Sequence, residues 1–161
     1  MKRISGAILF VALVCGCTSM STPPPPSELP AFSFATLRGL PVQVVVLDQR
    51  AGERNARWTE RVQGDLAKTL VASGATLSPD AQTRFEVRIL RARSDFENRQ
   101  WNACVEVTGR VVGAGGADAS GEACVAKSNL WGKATADNVL RLAYQDAMVK
   151  MLSSLDVKLS R

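Results

Sequence analysis

The sequence predicts an α+β domain in which a four-stranded mixed sheet, built in the order β-α-β-β-β-α, carries two helices packed on one face. Three observations lead there. Four segments alternate or run apolar as strands do, two segments repeat apolar residues at helical spacing, and a glycine cluster separates the last two strand segments.

The elements follow in order. Pro41 to Asp48 is β-branched and apolar on both faces, which suits an inner strand. Trp58, Val62, Leu66 and Leu70 recur every fourth residue, with Ala67 and Val71 widening the stripe, and Gly74 ends this amphipathic helix. From Arg84 to Arg93, Phe85, Val87 and Ile89 share one face of a half-buried strand. Trp101 to Val112 alternates again, with Trp101, Ala103, Val105, Val107 and Val111 inward, and Ala117 to Lys127 is its hairpin partner. Thr135 caps a last helix that runs to about Leu155, with Leu140, Tyr144, Ala147, Met148, Met151, Leu152 and Leu155 on its buried face. The strand-helix-strand start needs a crossover, which is right-handed when the strands are parallel.

The glycines of Gly113-Ala114-Gly115-Gly116 open no helix, so they read as a hairpin turn and not as a phosphate loop. A hairpin centred on Ala114 sets Cys104 opposite Cys124, Arg110 opposite Asp118 and Val105 opposite Ala123. Opposed side chains approach disulfide reach, and both cysteines fall on the polar face of their strands. The pair reads as a structural staple; a redox switch would want a CxxC motif or a basic activator, and neither adjoins. The register has one flaw: it opposes Glu106 to Glu122, which a shifted register or a bulge at a glycine would relieve.

The N-terminus carries the sharpest signal. Lys2 and Arg3 precede an apolar run from Ala7 to Val14 that ends in Cys15-Gly16-Cys17, the pattern of an export signal. The run falls short of the roughly 20 apolar residues that cross a bilayer. It also resembles a bacterial lipobox. Gly16 supplies the small residue before Cys17 and Val14 the apolar residue three before it, whereas Cys15 would follow Val14 directly. Cys17 is therefore the expected lipidated residue, residues 1–16 the signal peptide, and Cys15 leaves with it; an ordinary secretory cleavage nearby is the competing reading. The bacterial lipoprotein resemblance implies three acyl chains, and two or more hold durably at about 0.8 kcal/mol per buried methylene. By the same analogy Thr18, standing where aspartate would favour inner-membrane retention, points to the periplasmic face of the outer membrane.

Residues 17–39 then form a tether, and residues 40–161 the globular domain. The Thr22-Pro23-Pro24-Pro25-Pro26-Ser27 stretch favours polyproline II, so the tether reaches on the order of 60 Å when stretched. Leu29 to Leu37 is more apolar and either floats with the tether or packs along the domain.

About 145 residues remain after cleavage, enough for one domain with a core. Losing Lys2 and Arg3 lowers the formal charge from +5 to +3, a mild balance that predicts no nucleic-acid partner. The chain has no histidine, which excludes Ser-His-Asp and Cys-His catalysis and any His-ligated metal site within it. No nucleotide-binding or calcium-loop motif appears, and no cofactor is expected. Asp48, followed by Arg50, Glu53 and Arg54, sits where the first strand meets a loop; it is a catalytic carboxylate or, more simply, a residue that orders the loop through an arginine. Arg84 and Arg88 could bind an anion of an envelope lipid or glycan, with Arg91, Arg93 and Arg99 nearby. Strict alternation would point Arg84 and Arg88 one way and Arg91 and Arg93 the other, which favours a solvated face. Trp101 and Trp131 lie near strand ends, as interface anchors if exposed and as core if buried.

The whole mature chain resembles small bacterial outer-membrane lipoproteins of the YajG type. The points of likeness are the lipobox ending in Cys17, the Val42-Gln43-Val44-Val45-Val46-Leu47-Asp48-Gln49-Arg50 strand and turn, and the C-terminal helix with Asn138-Val139-Leu140 near its start. The resemblance implies outer-membrane attachment, a noncatalytic role and no catalytic residues to carry over. Together these readings predict a lipid-anchored binding or scaffold module for a protein complex of the cell envelope. The alternative is a carrier for an envelope lipid or glycan, associated with lipopolysaccharide or ABC transport; a hydrolase using Asp48 or Glu53 is the third.

Overall fold

The computed structural model describes residues 28–51, 56–128 and 132–161. The signal, Cys17, most of the tether, Glu53, Arg54 and Trp131 lie outside the described residues. The elements are β1 (Pro41–Asp48), α1 (Ala56–Ala72), β2 (Thr76–Leu77), β3 (Thr83–Glu97), β4 (Gln100–Val112), β5 (Ala117–Lys127) and α2 (Gly132–Leu159).

Among the described residues the sheet has five strands, not four, in the order β2-β1-β3-β4-β5. The additional strand is β2, two residues long and paired in parallel with Pro41 and Val42 of β1. A strand that short has no alternation to recognise. β1 also runs parallel to β3, while β3, β4 and β5 form an antiparallel meander. Both helices pack on the same face: Trp58 of α1 meets Tyr144 of α2 edge to face, with ring centres 5.8 Å apart. Beneath them lie Val42, Phe85, Val87, Ile89, Val105 and Val107, all buried in one core.

Each expected core position of α2 is buried. The helix starts at Gly132, however, so Thr135 lies inside it and is not its cap. In α1, Trp58, Val62, Leu66 and Leu70 are buried as the spacing requires, but the stripe widens toward Asp65 and Thr69 and leaves Val71 exposed. The helix is turned so that Asp65 reaches Tyr144, which offers the hydrogen bond that a buried carboxylate needs.

Of residues 17–39, the described part packs along the domain. Phe34 and Leu37 are fully buried, the Phe34 ring standing against Phe85 at 5.8 Å, and Leu29 and Phe32 pack on the core. Asp156 of α2 fastens this segment by accepting the Phe34 N–H at 2.8 Å and the Ser33 hydroxyl at 3.2 Å. The apolar residues from Leu29 onward thus belong to the domain.

Candidate functional site

The hairpin register falls where the sequence places it. Cys104 opposes Cys124, Arg110 opposes Asp118, Val105 opposes Ala123 and Glu106 opposes Glu122. The turn between β4 and β5 uses positive φ at Gly113, Gly115 and Gly116, the conformation that glycine adopts without a Cβ penalty. Cys104 and Cys124 are joined by a disulfide, with their Cα atoms 4.2 Å apart. The opposed glutamates do not shift the register, because Arg91 of β3 lies between them, ion-paired to Glu122 and 3.6 Å from Glu106. One guanidinium thus converts a like-charge opposition into a bridged triplet. Replacing both Cys104 and Cys124 by alanine should lower unfolding free energy by about 3 kcal/mol, given the chain entropy released by a loop of this size. Urea unfolding with and without reductant checks this: the double variant should match the reduced protein and lose all response to reductant.

Arg91 reaches the glutamates because of a β-bulge. The β3–β4 register shifts between Ile89 and Arg91, so one extra residue inverts the alternation. Arg84, Arg88, Arg91 and Arg93 consequently share the open face of the sheet, which corrects the expected split. On that face Arg84 and Arg88, the two candidate anion-binding residues, flank Glu86. Arg88 holds Glu86 at 2.7 Å, and Arg93 lies 3.4 Å from Asp95. An open groove of ≈ 530 Å³ is lined by Arg88, Arg110 and Lys158 together with Glu86 and Asp118. This is a charge-balanced, solvated face, and exposed pairs of this kind contribute little each.

Asp48 is also engaged. Its two carboxylate oxygens accept from the Arg50 guanidinium at 2.8 and 2.7 Å, and both side chains are nearly buried. The Arg50 guanidinium in turn lies 5.2 Å from the Trp58 ring centre. Asp48 thus orders the loop after β1, the simpler of the two sequence readings. Among the described residues, no group of three Cys, Asp or Glu side chains is placed to hold a metal ion. Trp101 is half-buried and packs against exposed Phe96 in a tilted pair, centroids 5.2 Å apart, near the β3–β4 turn.

Two features were not foreseen. The first is buried: the Tyr144 hydroxyl donates to Asp65 at 2.9 Å, and Arg61 lies 3.0 Å from the same oxygen. Burial, and then the adjoining Asp65 carboxylate, hold the Tyr144 phenol well above its ordinary pKa. The clue was an i, i+4 Arg61–Asp65 pair flanking an apolar stripe.

The second feature is the edge of the sheet beside β1. Thr76 N–H donates to Leu40 and Ser78 N–H to Val42, while Gln49 N–H donates across to Ile89 in β3. Even-numbered residues of β1 therefore direct their N–H and C=O toward β2, as parallel pairing requires. Because β2 ends at Leu77, Val44 and Val46 have no strand beside them among the described residues. Leu47 is 38% exposed, and an open groove of ≈ 250 Å³ runs along this edge between Val42, Val44, Leu77 and the α1 residues Gln63 and Ala67. The opposite edge is treated differently. The short Cα separation of the cysteines marks a non-hydrogen-bonded pair, so Glu122 and Asp118 of β5 turn their carbonyls outward. Lys150 and Lys158 of α2 donate to these two carbonyls at 2.9 and 2.6 Å. Lysines over a sheet edge disfavour further strand pairing. Among the described residues, one edge is guarded and the other is open.

No family model matches the chain, and no curated protein does. Among solved structures, protein XCC0632 from Xanthomonas campestris, of the DUF330 family, is similar at a TM-score of 0.57 and 9% identity, over 86% of this chain and 97% of that one. This shows a shared fold. Lipoprotein GNA1162 from Neisseria meningitidis matches at a TM-score of 0.43 and 12% identity, over 65% of this chain and 94% of its own. The PelC dodecamer from Paraburkholderia phytofirmans matches at a TM-score of 0.41 and 11% identity, over 83% of this chain and 97% of that one.

Proposed function

We propose that this protein is a lipid-anchored lipoprotein on the periplasmic face of the outer membrane, of the YajG type. It serves as a noncatalytic binding and scaffold module for an envelope complex. Cys17 carries the acyl chains in this reading, and the lipobox around it is the support. No helix among the described residues is long and apolar enough to cross a membrane. The observation that carries the binding role is the open β1 edge. Val44 and Val46 offer main-chain donors and acceptors beside an apolar groove, the arrangement by which a sheet accepts an extended peptide as a further strand. Asp48, the residue a hydrolase would need, is committed to Arg50.

The test is in-cell photo-crosslinking from Leu47 and Leu77, with Ser120 on the open sheet face as control, followed by mass spectrometry. A single recurring protein captured at the first two positions, and not at the third, is the expected outcome. Val46→Pro removes one outward N–H without touching the β1–β3 ladder and should abolish the capture while the domain stays folded. Recovery of lipid or glycan alone would overturn the scaffold reading in favour of the carrier.

A further inference from the structure

The segment before β1 lies along α2 in a definite direction. The Thr36 hydroxyl donates to Leu159 O, Phe34 N–H to Asp156, and the Gln145 amide to Glu28 O at 3.0 Å. Followed from Thr36 back to Glu28, the segment therefore runs along α2 from its last turn to its middle, about 21 Å at the helical rise. At Glu28 the described segment, followed in this direction, is heading toward the N-terminal end of α2.

The β3–β4 turn stands at that same end. α2 runs antiparallel to β5, with Lys158 at Asp118 and Lys150 at Glu122, so Lys127 at the end of β5 lies level with the first turns of the helix. Trp101 pairs with Lys127 on one side and with Phe96 on the other, and the turn extends beyond them. Phe96 is 46% exposed. Asn98 and Arg99 take φ of 52° and 61°, a left-handed pair that closes the hairpin in two residues and leaves exposed Arg99 at its apex.

We infer that this tip is a second membrane contact: with Cys17 acylated, Phe96 and Trp101 rest in the headgroup region of the bilayer that holds the anchor, and Arg99 and Lys127 face lipid phosphates. The inference rests on the lipidation reading above. Its occupant follows from where the chain ends. Ten residues separate Cys17 from Glu28, and ten residues span at most about 35 Å. The lipid surface is thus held within reach of the tip. Exposed Glu97 offsets part of the cationic charge, so the aromatic pair supplies the preference; such rings favour the boundary between hydrocarbon and water.

The experiment uses the acylated protein in vesicles of phosphatidylethanolamine and phosphatidylglycerol that contain tail-brominated lipid, with the Trp131→Phe substitution. Trp58, fully buried in the core, and Trp101 are then the only tryptophans, excited selectively at wavelengths where Tyr144 does not absorb. The expected result is co-flotation with the vesicles and loss of the Trp101 share of the emission to bromine quenching. Adding Trp101→Phe should remove the quenching and leave the Trp58 emission untouched. Co-flotation without quenching would overturn this inference and leave the anchor reading standing. Failure to co-float would overturn both.

Discussion

Gly121→Ala should destabilise the domain by 3 kcal/mol or more, the top of the roughly 1–3 kcal/mol typical of overpacked cores, and Gly121→Val should prevent α2 from docking. The inner face of β5 is a row of small residues, Ala117, Ala119, Gly121 and Ala123, and α2 lies directly on it. A Cβ at Gly121 would stand 1.9 Å from the carbonyl oxygen of Ala147 and 2.9 Å from the amide nitrogen of Met151. Both are helix backbone, so the added carbon can be accommodated only by moving the helix or the strand, not by turning a rotamer. Two other glycines calibrate the result. A Cβ at Gly109 would meet the Met151 sulfur at 2.8 Å and Leu155 Cδ1 at 2.9 Å, both side-chain atoms that can shift where backbone cannot, so Gly109→Ala should cost less, about 1–2 kcal/mol. Gly64 in α1 meets nothing within 4 Å, so alanine there should stabilise by about 0.5–1 kcal/mol through helix propensity alone. Urea unfolding of the three alanine variants checks the order, and a Gly121→Ala variant as stable as Gly64→Ala would contradict the packing described.

What the sequence reveals here depends on whether a feature is local. The β4–β5 hairpin is local: alternation, a glycine turn and two cysteines suffice to set its register, and the structure keeps it. The β3 bulge is not local. It exists only as a mismatch with β4, so alternation counted along β3 alone assigns Arg91 and Arg93 to the wrong face. The same bulge delivers Arg91 to Glu106 and Glu122, which is why a register that looked electrostatically flawed is sound.

The candidate binding edge shows the same limit. Val42 to Leu47 has the composition of an inner strand, and β1 does lie between two strands, but β2 accompanies it for two residues only. Composition reports how much burial a strand suits; it does not report how long its neighbour is. The mismatch between an apolar strand and a truncated neighbour is therefore informative once the pairing is known, and it is what singles out Val44 and Val46.

Asp65→Ala should be the most damaging polar substitution, because it strands two groups at once. The Tyr144 hydroxyl would lose its acceptor inside the core, and Arg61 would lose the carboxylate 3.0 Å away. Breaking a buried pair from one side costs about 3–5 kcal/mol, and Arg61 retains some solvent contact, so the lower end of that range is expected. Tyr144→Phe removes the hydroxyl and leaves the ion pair, which should cost about 1–2 kcal/mol. Titration provides an independent reading, since Tyr144 is the only tyrosine in the chain and tyrosinate absorbance reports it alone. An unfolded tyrosine ionises near pH 10, whereas burial and then Asp65 hold the native phenol higher. Above that pH the unfolded chain has released a proton that the native domain retains. The stabilisation is therefore complete below about pH 10 and falls by about 1.4 kcal/mol per unit as pH rises toward the native pKa. Native protein should form tyrosinate only at higher pH than the unfolded chain does. Asp65→Asn should bring the native ionisation to lower pH yet keep it above the ordinary value, because burial, the larger cause, remains. An unshifted midpoint in that variant would mean that the Asp65 carboxylate does not act on Tyr144, and the coupling of α1 to α2 through this pair would have to be abandoned.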